Sequence, residues 1–165
     1  MKVKICGVLF ACLGIAAVVV LFYHGTLYHI RSINGSFTVS SNGVAQIDTI
    51  DDANGIVAIS GWAINKGTVY KGYNWIAGAF QNVYVNNTLV LKDNGGHIYA
   101  LHTLSVVRPD INAAMNDGIN YGPCGVYAKA RKAALKKGIS YQVGILMIDR
   151  SGRKSIIYSE KELKV

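Results

Sequence analysis

Apolar and polar positions alternate in three regimes along the chain. Residues Ile5 to Tyr23, ICGVLFACLGIAAVVVLFY, carry no charge at all. Nineteen residues at helical rise reach roughly 28 Å, about the hydrocarbon thickness of a bilayer. From His24 to Ser36 the pattern is mixed and short. Thereafter β-branched and aromatic residues alternate with small polar ones, and Gly or Asn clusters recur at short spacing. This is the pattern of strands and turns rather than of helices.

The first regime predicts an uncleaved N-terminal transmembrane helix. The only small-residue stretch that a signal peptidase would accept, GIAA ending at Ala17, is followed by three valines instead of polar sequence. Cys12 follows bulky Phe10 and Ala11 within a continuing apolar run, a poor lipoprotein site. Lys2 and Lys4 precede the apolar run, so the positive-inside bias predicts a cytoplasmic N-terminus and an extracytoplasmic C-terminal domain. The organisation expected is an anchor over 1–28, a tether over 29–36 and an exported domain over 37–165.

Within the exported part, Asn42-Gly43 between SFTVSS and VAQIDTI predicts a two-residue hairpin. GIVAISGWAIN alternates, and its change of apolar face near Ser60-Gly61 predicts a bulge there. Asn86-Asn87 predicts a turn, and GHIYALHTLSVV one strand. SYQVGILMID and KSIIYSEKEL around RSGR predict a hairpin. After Leu104 the run LSVVRPDINAAMNDG predicts a strand ended by Pro109, then a short helix with Asp110 as its N-cap and Gly118 as its stop. About eight short strands and one short helix predict a mainly β fold, a β-sandwich of immunoglobulin-like or jelly-roll-like form.

Composition narrows the function classes. Hydrophobic residues make up 51% and charged residues 16%, a balance skewed by the N-terminal run. The net charge is +8; without Lys2, Lys4 and Arg31 the remaining 14 basic and 9 acidic residues leave about +5. Lys129, Arg131, Lys132, Lys136 and Lys137 form a basic cluster, which suits either an anionic partner or a solvated face. No nucleic-acid-binding motif accompanies it. Cys6 and Cys12 lie in the apolar run and Cys124 is alone in the domain, so no intramolecular bridge is expected there. That usage favours a bacterial surface protein of Gram-positive type over a secreted eukaryotic domain.

Catalytic patterns are missing from the sequence: it has no GxGxxG, no Walker A loop and no GxSxG elbow. His97 and His102 are five apart and fall on opposite faces of a strand, so no metal site is expected from them. The run DTIDDANG is acidic but lacks the spacing of a calcium hand. No catalytic residue, metal or cofactor is therefore assigned. Tyr70, Tyr73 and Trp75 in a Gly-rich stretch offer rings that stack on sugars, or that cap a core. Arg108 is the one member of its corner without an obligatory backbone role, and is a candidate ligand contact.

Gly61-Trp62-Ala63, then Arg108, Asp110 and Ile111, then Leu135, Gly138 and Tyr141 occur in that order. Together they resemble a small, largely uncharacterised β-sandwich domain of bacterial membrane and cell-envelope proteins. That domain has a Gly-Trp-Ala strand, an Arg-x-Asp corner and a Leu-x-x-Gly-x-Tyr entry into the final hairpin. Ile139 and Ser140 lengthen the last spacing by one. The resemblance covers roughly residues 55 to 160. It implies an envelope location, while the residues' own backbone chemistry gives structural roles to Gly61, Trp62, Asp110, Gly118, Gly138 and Tyr141. The function expected is a membrane-anchored, non-catalytic binding or accessory module that contacts surface glycan or a membrane-protein partner. An enzyme acting on envelope polymers, with Arg108, Asp110 and His102 in one cleft, and a purely structural partner of a polytopic membrane protein are the alternatives.

Overall fold

A computed structural model describes residues 13–20, 28–66, 69–74, 79–82, 84–149 and 152–165. The chain is mainly β. Residues 13–20 form a helix, α1, whose Leu13, Ile15, Val18, Val19 and Val20 are each more than half exposed. Among the described residues no helix is long and apolar enough to cross a membrane. Residues 1–12 and 21–27 of the expected anchor lie outside them.

Thirteen strands follow among the described residues. β1 (Ile30–Ile33), β2 (Thr38–Val39), β7 (Tyr84–Lys92), β8 (Ile98–Leu101), β12 (Ser140–Asp149) and β13 (Lys154–Lys164) form one sheet, in the order β1-β8-β7-β12-β13-β2. β3 (Gly43–Ala53), β4 (Ile56–Asn65), β9 (Thr103–Val106) and β11 (Gly125–Arg131) form a second, in the order β3-β4-β11-β9. A small third sheet joins β5 (Val69–Asn74), β6 (Ala79–Asn82) and β10 (Ile119–Asn120). The two larger sheets share one core. Val57, Ile59, Ala63, Val126 and Ala128 face Leu89, Leu91, Val143, Ile145 and Met147, all buried. Alternation along each strand puts these residues on the inner faces, an arrangement consistent with a β-sandwich.

The β12–β13 hairpin forms as expected. Several local expectations give way to tertiary pairing. The β3–β4 turn is Asn54-Gly55, with φ of +53° and +74°, the left-handed pair that a tight hairpin demands. At Asn42-Gly43 there is no hairpin, because β2 pairs parallel with β13 on the far edge of the other sheet. Asn86-Asn87 lies inside β7 rather than in a turn; Asn87 is buried and its Nδ2 donates to the carbonyls of Ala63 (2.9 Å) and Cys124 (3.1 Å). GHIYALHTLSVV is two strands in different sheets, β8 and β9, parted at His102.

The expected bulge lies at the predicted level but on the partner strand. Ile47 pairs with Gly61 and Thr49 with Ser60, so the extra residue is Asp48 in β3. Gly61 is required there: a Cβ would sit 2.5 Å from the Gln46 carbonyl oxygen. The apparent switch of apolar face has another cause, which is that β4 is buried on both faces. Trp62 and Ile64 form a second cluster with Ile111, Tyr121 and Cys124 on the outer face of the four-stranded sheet. Ile111 comes from helix α2 (Pro109–Met115), which covers that face.

Part of the expected tether is also built into the fold. Residues 30–33 are β1, paired antiparallel with β8. β1 and β2 lie on opposite edges of their sheet, so residues 34–37 cross its outer face as a strap. Ile33 and Phe37 pack there on Val90, Ala100, Leu146 and Ile156.

Candidate functional site

The Arg108 corner is a closed ion-pair network. Its Nη2 donates to Asp110 Oδ2 (2.7 Å), its Nε to Asp110 Oδ1 (2.9 Å) and its Nη1 to Asp48 Oδ2 (2.6 Å). Two features of the fold place it. The β3 bulge re-aims Asp48 toward the start of α2. Gly125 leaves room for the arginine stem, since a Cβ there would meet Arg108 Cγ at 2.7 Å. The hydrogen bonds from Arg108 hold the Asp110 carboxyl below the usual range, and those carboxylates hold the guanidinium charged. Asp110 is therefore not the N-cap. Arg108 holds that position with no side-chain cap, Pro109 starts the helix, and the Asp110 carboxylate turns back to the guanidinium. The helix ends at Asn116, which takes the left-handed conformation at φ +44°, so Gly118 lies two residues past the stop.

Three residues of the basic cluster have local partners. Lys132 Nζ donates to Asp52 (2.6 Å), Lys129 lies over the Tyr127 ring and Arg131 over the Tyr28 ring. Lys136 and Lys137 sit at the exposed turn before β12. The Gly138 N–H in that turn donates to the Val165 carbonyl (2.8 Å). Trp75 lies outside the described residues. Tyr70 and Tyr73 belong to β5, and their side chains lie outside the described residues too. Cys124 is buried with Trp62 and Tyr121, and burial pushes its thiol up. Among the described residues no hydrogen bond or ion pair joins His102 to Cys124, Arg108 or Asp110, so neither the thiol–imidazole pair nor the three-residue cleft is assembled. His97 instead binds Asp93, with Nδ1 3.0 Å from Oδ2. Among the described residues no three His, Cys, Asp or Glu side chains converge as metal ligands.

A different site lies on the outer face of the six-stranded sheet. Two adjoining cavities of ≈ 310 and ≈ 350 Å³ share Arg31, Asn86, Thr88 and Ala100, making one groove beside the strap. One end is lined by His29, His102 and Thr103, and the other by Asn34, Phe37, Leu146, Ile148 and Lys154.

The groove exists because β8 leaves early. β8 pairs with β7 only at Val90–Lys92, whereas β12 runs along β7 from Tyr84 to Lys92. At His102 the chain crosses to the other sheet and leaves the first half of β7 without a strand on that side. Thr103 repairs the break: its Oγ1 accepts from the Leu89 N–H (2.9 Å) and donates to the Leu101 carbonyl (2.9 Å). An unpaired buried N–H would otherwise result. Thr103→Val is accordingly expected to cost about 1–2 kcal/mol of stability, read as a lower urea midpoint together with faster amide exchange at Leu89.

The electrostatics of the groove are one-sided. Its charged or ionisable lining residues are Arg31, Lys154, His29 and His102, with no carboxylate. Arg108 and Arg153 bind aspartates and Arg131 lies over an aromatic ring. Among the described arginines Arg31 alone has no such partner. Sequence reading missed this site because Arg31 and His29 fell in a presumed tether, and nothing local signals that a four-residue strand joins the sheet. Comparison with protein families, with curated proteins and with solved structures returned no match.

Proposed function

We propose that this chain is a membrane-anchored, non-catalytic binding or accessory module of the bacterial cell envelope. Its β-sandwich contacts surface glycan or a membrane-protein partner. The observation that carries the reading is the open groove of the six-stranded sheet, which sets amide and hydroxyl groups beside apolar side chains and unpaired cations. Such a mixture suits a polyol or sugar, whose rings offer apolar faces and polar edges.

The anchor reading rests on the uncharged run from Ile5 to Tyr23 and on the exposed apolar side chains of α1, which a lipid environment would cover. The groove begins at His29, six residues beyond that run, so the binding face would stand near the membrane surface.

The strand order favours the immunoglobulin-like form of the sandwich over the jelly roll. Lettered in chain order, β3, β4, β7, β8, β9, β11, β12 and β13 become A, B, C, C′, D, E, F and G. The two sheets then read A-B-E-D and C′-C-F-G. Tyr141 stands near the start of strand F, and its hydroxyl accepts from the Lys136 N–H (2.9 Å), as the corner tyrosine of such domains does. Val143 stands where many of them carry a cysteine, and Trp62 is on B instead of C. The same corner supports the resemblance to the envelope domain with its Leu-x-x-Gly-x-Tyr entry.

A binding screen tests the function. The full chain in detergent is expected to bind at least one member of a panel of wall polymers and surface glycans. Absence of binding across the panel removes the glycan reading and leaves the protein partner, which co-purification from detergent would identify.

A further inference from the structure

We infer that the groove recognises an anionic polyol or glycan, a polymer whose repeating unit carries a phosphate or carboxylate beside free hydroxyls. The inference rests on the binding-module reading and specifies its ligand class. Three observations converge on it.

Charge is the first. A cleft lined by one sign of charge over low-dielectric walls concentrates the opposite sign. Arg31 lines both cavities and has no anionic or aromatic partner among the described residues, in contrast to Arg108, Arg131 and Arg153. A guanidinium offers a planar fork that matches a phosphate or carboxylate with two parallel hydrogen bonds.

Spacing is the second. Positive and hydrogen-bonding groups are spread along the groove: Arg31 lines both cavities, Lys154 one of them and the two imidazoles the other. A single anion engages one of these places. A chain of repeating anions engages them all, which favours a polymer.

The floor is the third. Asn86 and Thr88 supply donors and acceptors for hydroxyls, and Leu146 and Ile148 supply an apolar surface. The pairing of Asn86 with Ile148, and of Ile148 with Lys154, sets an amide, an apolar side chain and a cation in one row across three strands. That row pairs hydroxyl recognition with anion recognition.

The test uses the detergent-solubilised full chain and isothermal titration. Probes are poly(glycerol phosphate), a polyglucuronate, neutral dextran of matched length, and glycerophosphoglycerol as a free lipid headgroup of the same chemistry. At least one anionic polymer is expected to bind. Its Kd is expected to rise at least tenfold in Arg31→Gln and in Lys154→Gln, with only partial loss in Arg31→Lys. The double variant Lys66→Gln/Lys164→Gln, away from the groove, is expected to shift Kd less than twofold. All these residues are exposed, and an unchanged melting temperature verifies each fold. Polymer binding tighter per repeat than glycerophosphoglycerol supports the polymer as source. Equal affinity keeps the anion site and assigns it to a lipid headgroup. Binding unchanged by the groove variants, or lost equally in the control variant, overturns the inference. Dextran binding as tight as that of the charged polymers overturns the anionic class while the glycan reading stands. No binding to any probe sinks both.

Discussion

Tyr141→Ala is expected to destabilise the domain by about 3–5 kcal/mol, the range for removing a buried aromatic ring. The ring is 1% exposed, packs in the shared core and meets Tyr99 edge-on with centroids 6.1 Å apart. Its hydroxyl also accepts the Lys136 N–H in the turn that leads into β12. Tyr141→Phe separates the two contributions. It keeps the ring and leaves that backbone donor without its partner, so a loss of about 1 kcal/mol is expected. Urea unfolding of both variants measures the difference. Equal losses would mean that the hydroxyl, and not the ring, carries the corner.

Arg108→Ala is the second large effect. It strands the Asp48 and Asp110 carboxylates beside each other at the start of α2, and a loss of about 2–3 kcal/mol is expected from the broken, partly buried network. Arg108→Lys keeps the charge but not the fork that reaches two carboxylates at once, and should fall between. The network also sets a pH dependence. Asp110 is held below its unfolded value, so its contribution is present above about pH 4, where the unfolded carboxyl is ionised. That contribution is lost as pH falls through the lower folded value. Asp110→Asn should therefore flatten the acid limb of the stability curve while leaving ligand binding in the opposite-face groove intact. Loss of binding in a folded Asp110→Asn protein would instead return this corner to the functional site.

Strand content was legible wherever alternation and turn chemistry act locally. The β12–β13 hairpin needs only two alternating runs and a short polar turn, and it formed as expected. Pro109 ends its strand by sterics that involve one neighbour. The misread places share a different cause. Asn86-Asn87 looks like a turn because amides favour turns, but Asn87 satisfies two carbonyls of β4 and its neighbouring loop, more than 20 residues away in sequence. Asp110 looks like an N-cap because carboxylates accept helix N–H groups, yet Arg108 competes for it with three charge-assisted bonds. The bulge was legible in height and not in strand, because only the pairing register shows which partner carries the extra residue.

The sequence by itself determined the mainly β class, the final hairpin, the corner at Pro109 and the uncharged N-terminal run, since each follows from periodicity or from backbone sterics within a few residues. The tertiary structure alone decided the partner of Arg108 and the location of the candidate site. β1 joins an edge, its strap crosses to the opposite edge, and β8 leaves its sheet at His102. Those three long-range events open the groove and gather Arg31, His102 and Lys154 from segments far apart in the chain. No local pattern encodes them, because their free energy comes from surfaces that exist only after the two sheets have packed.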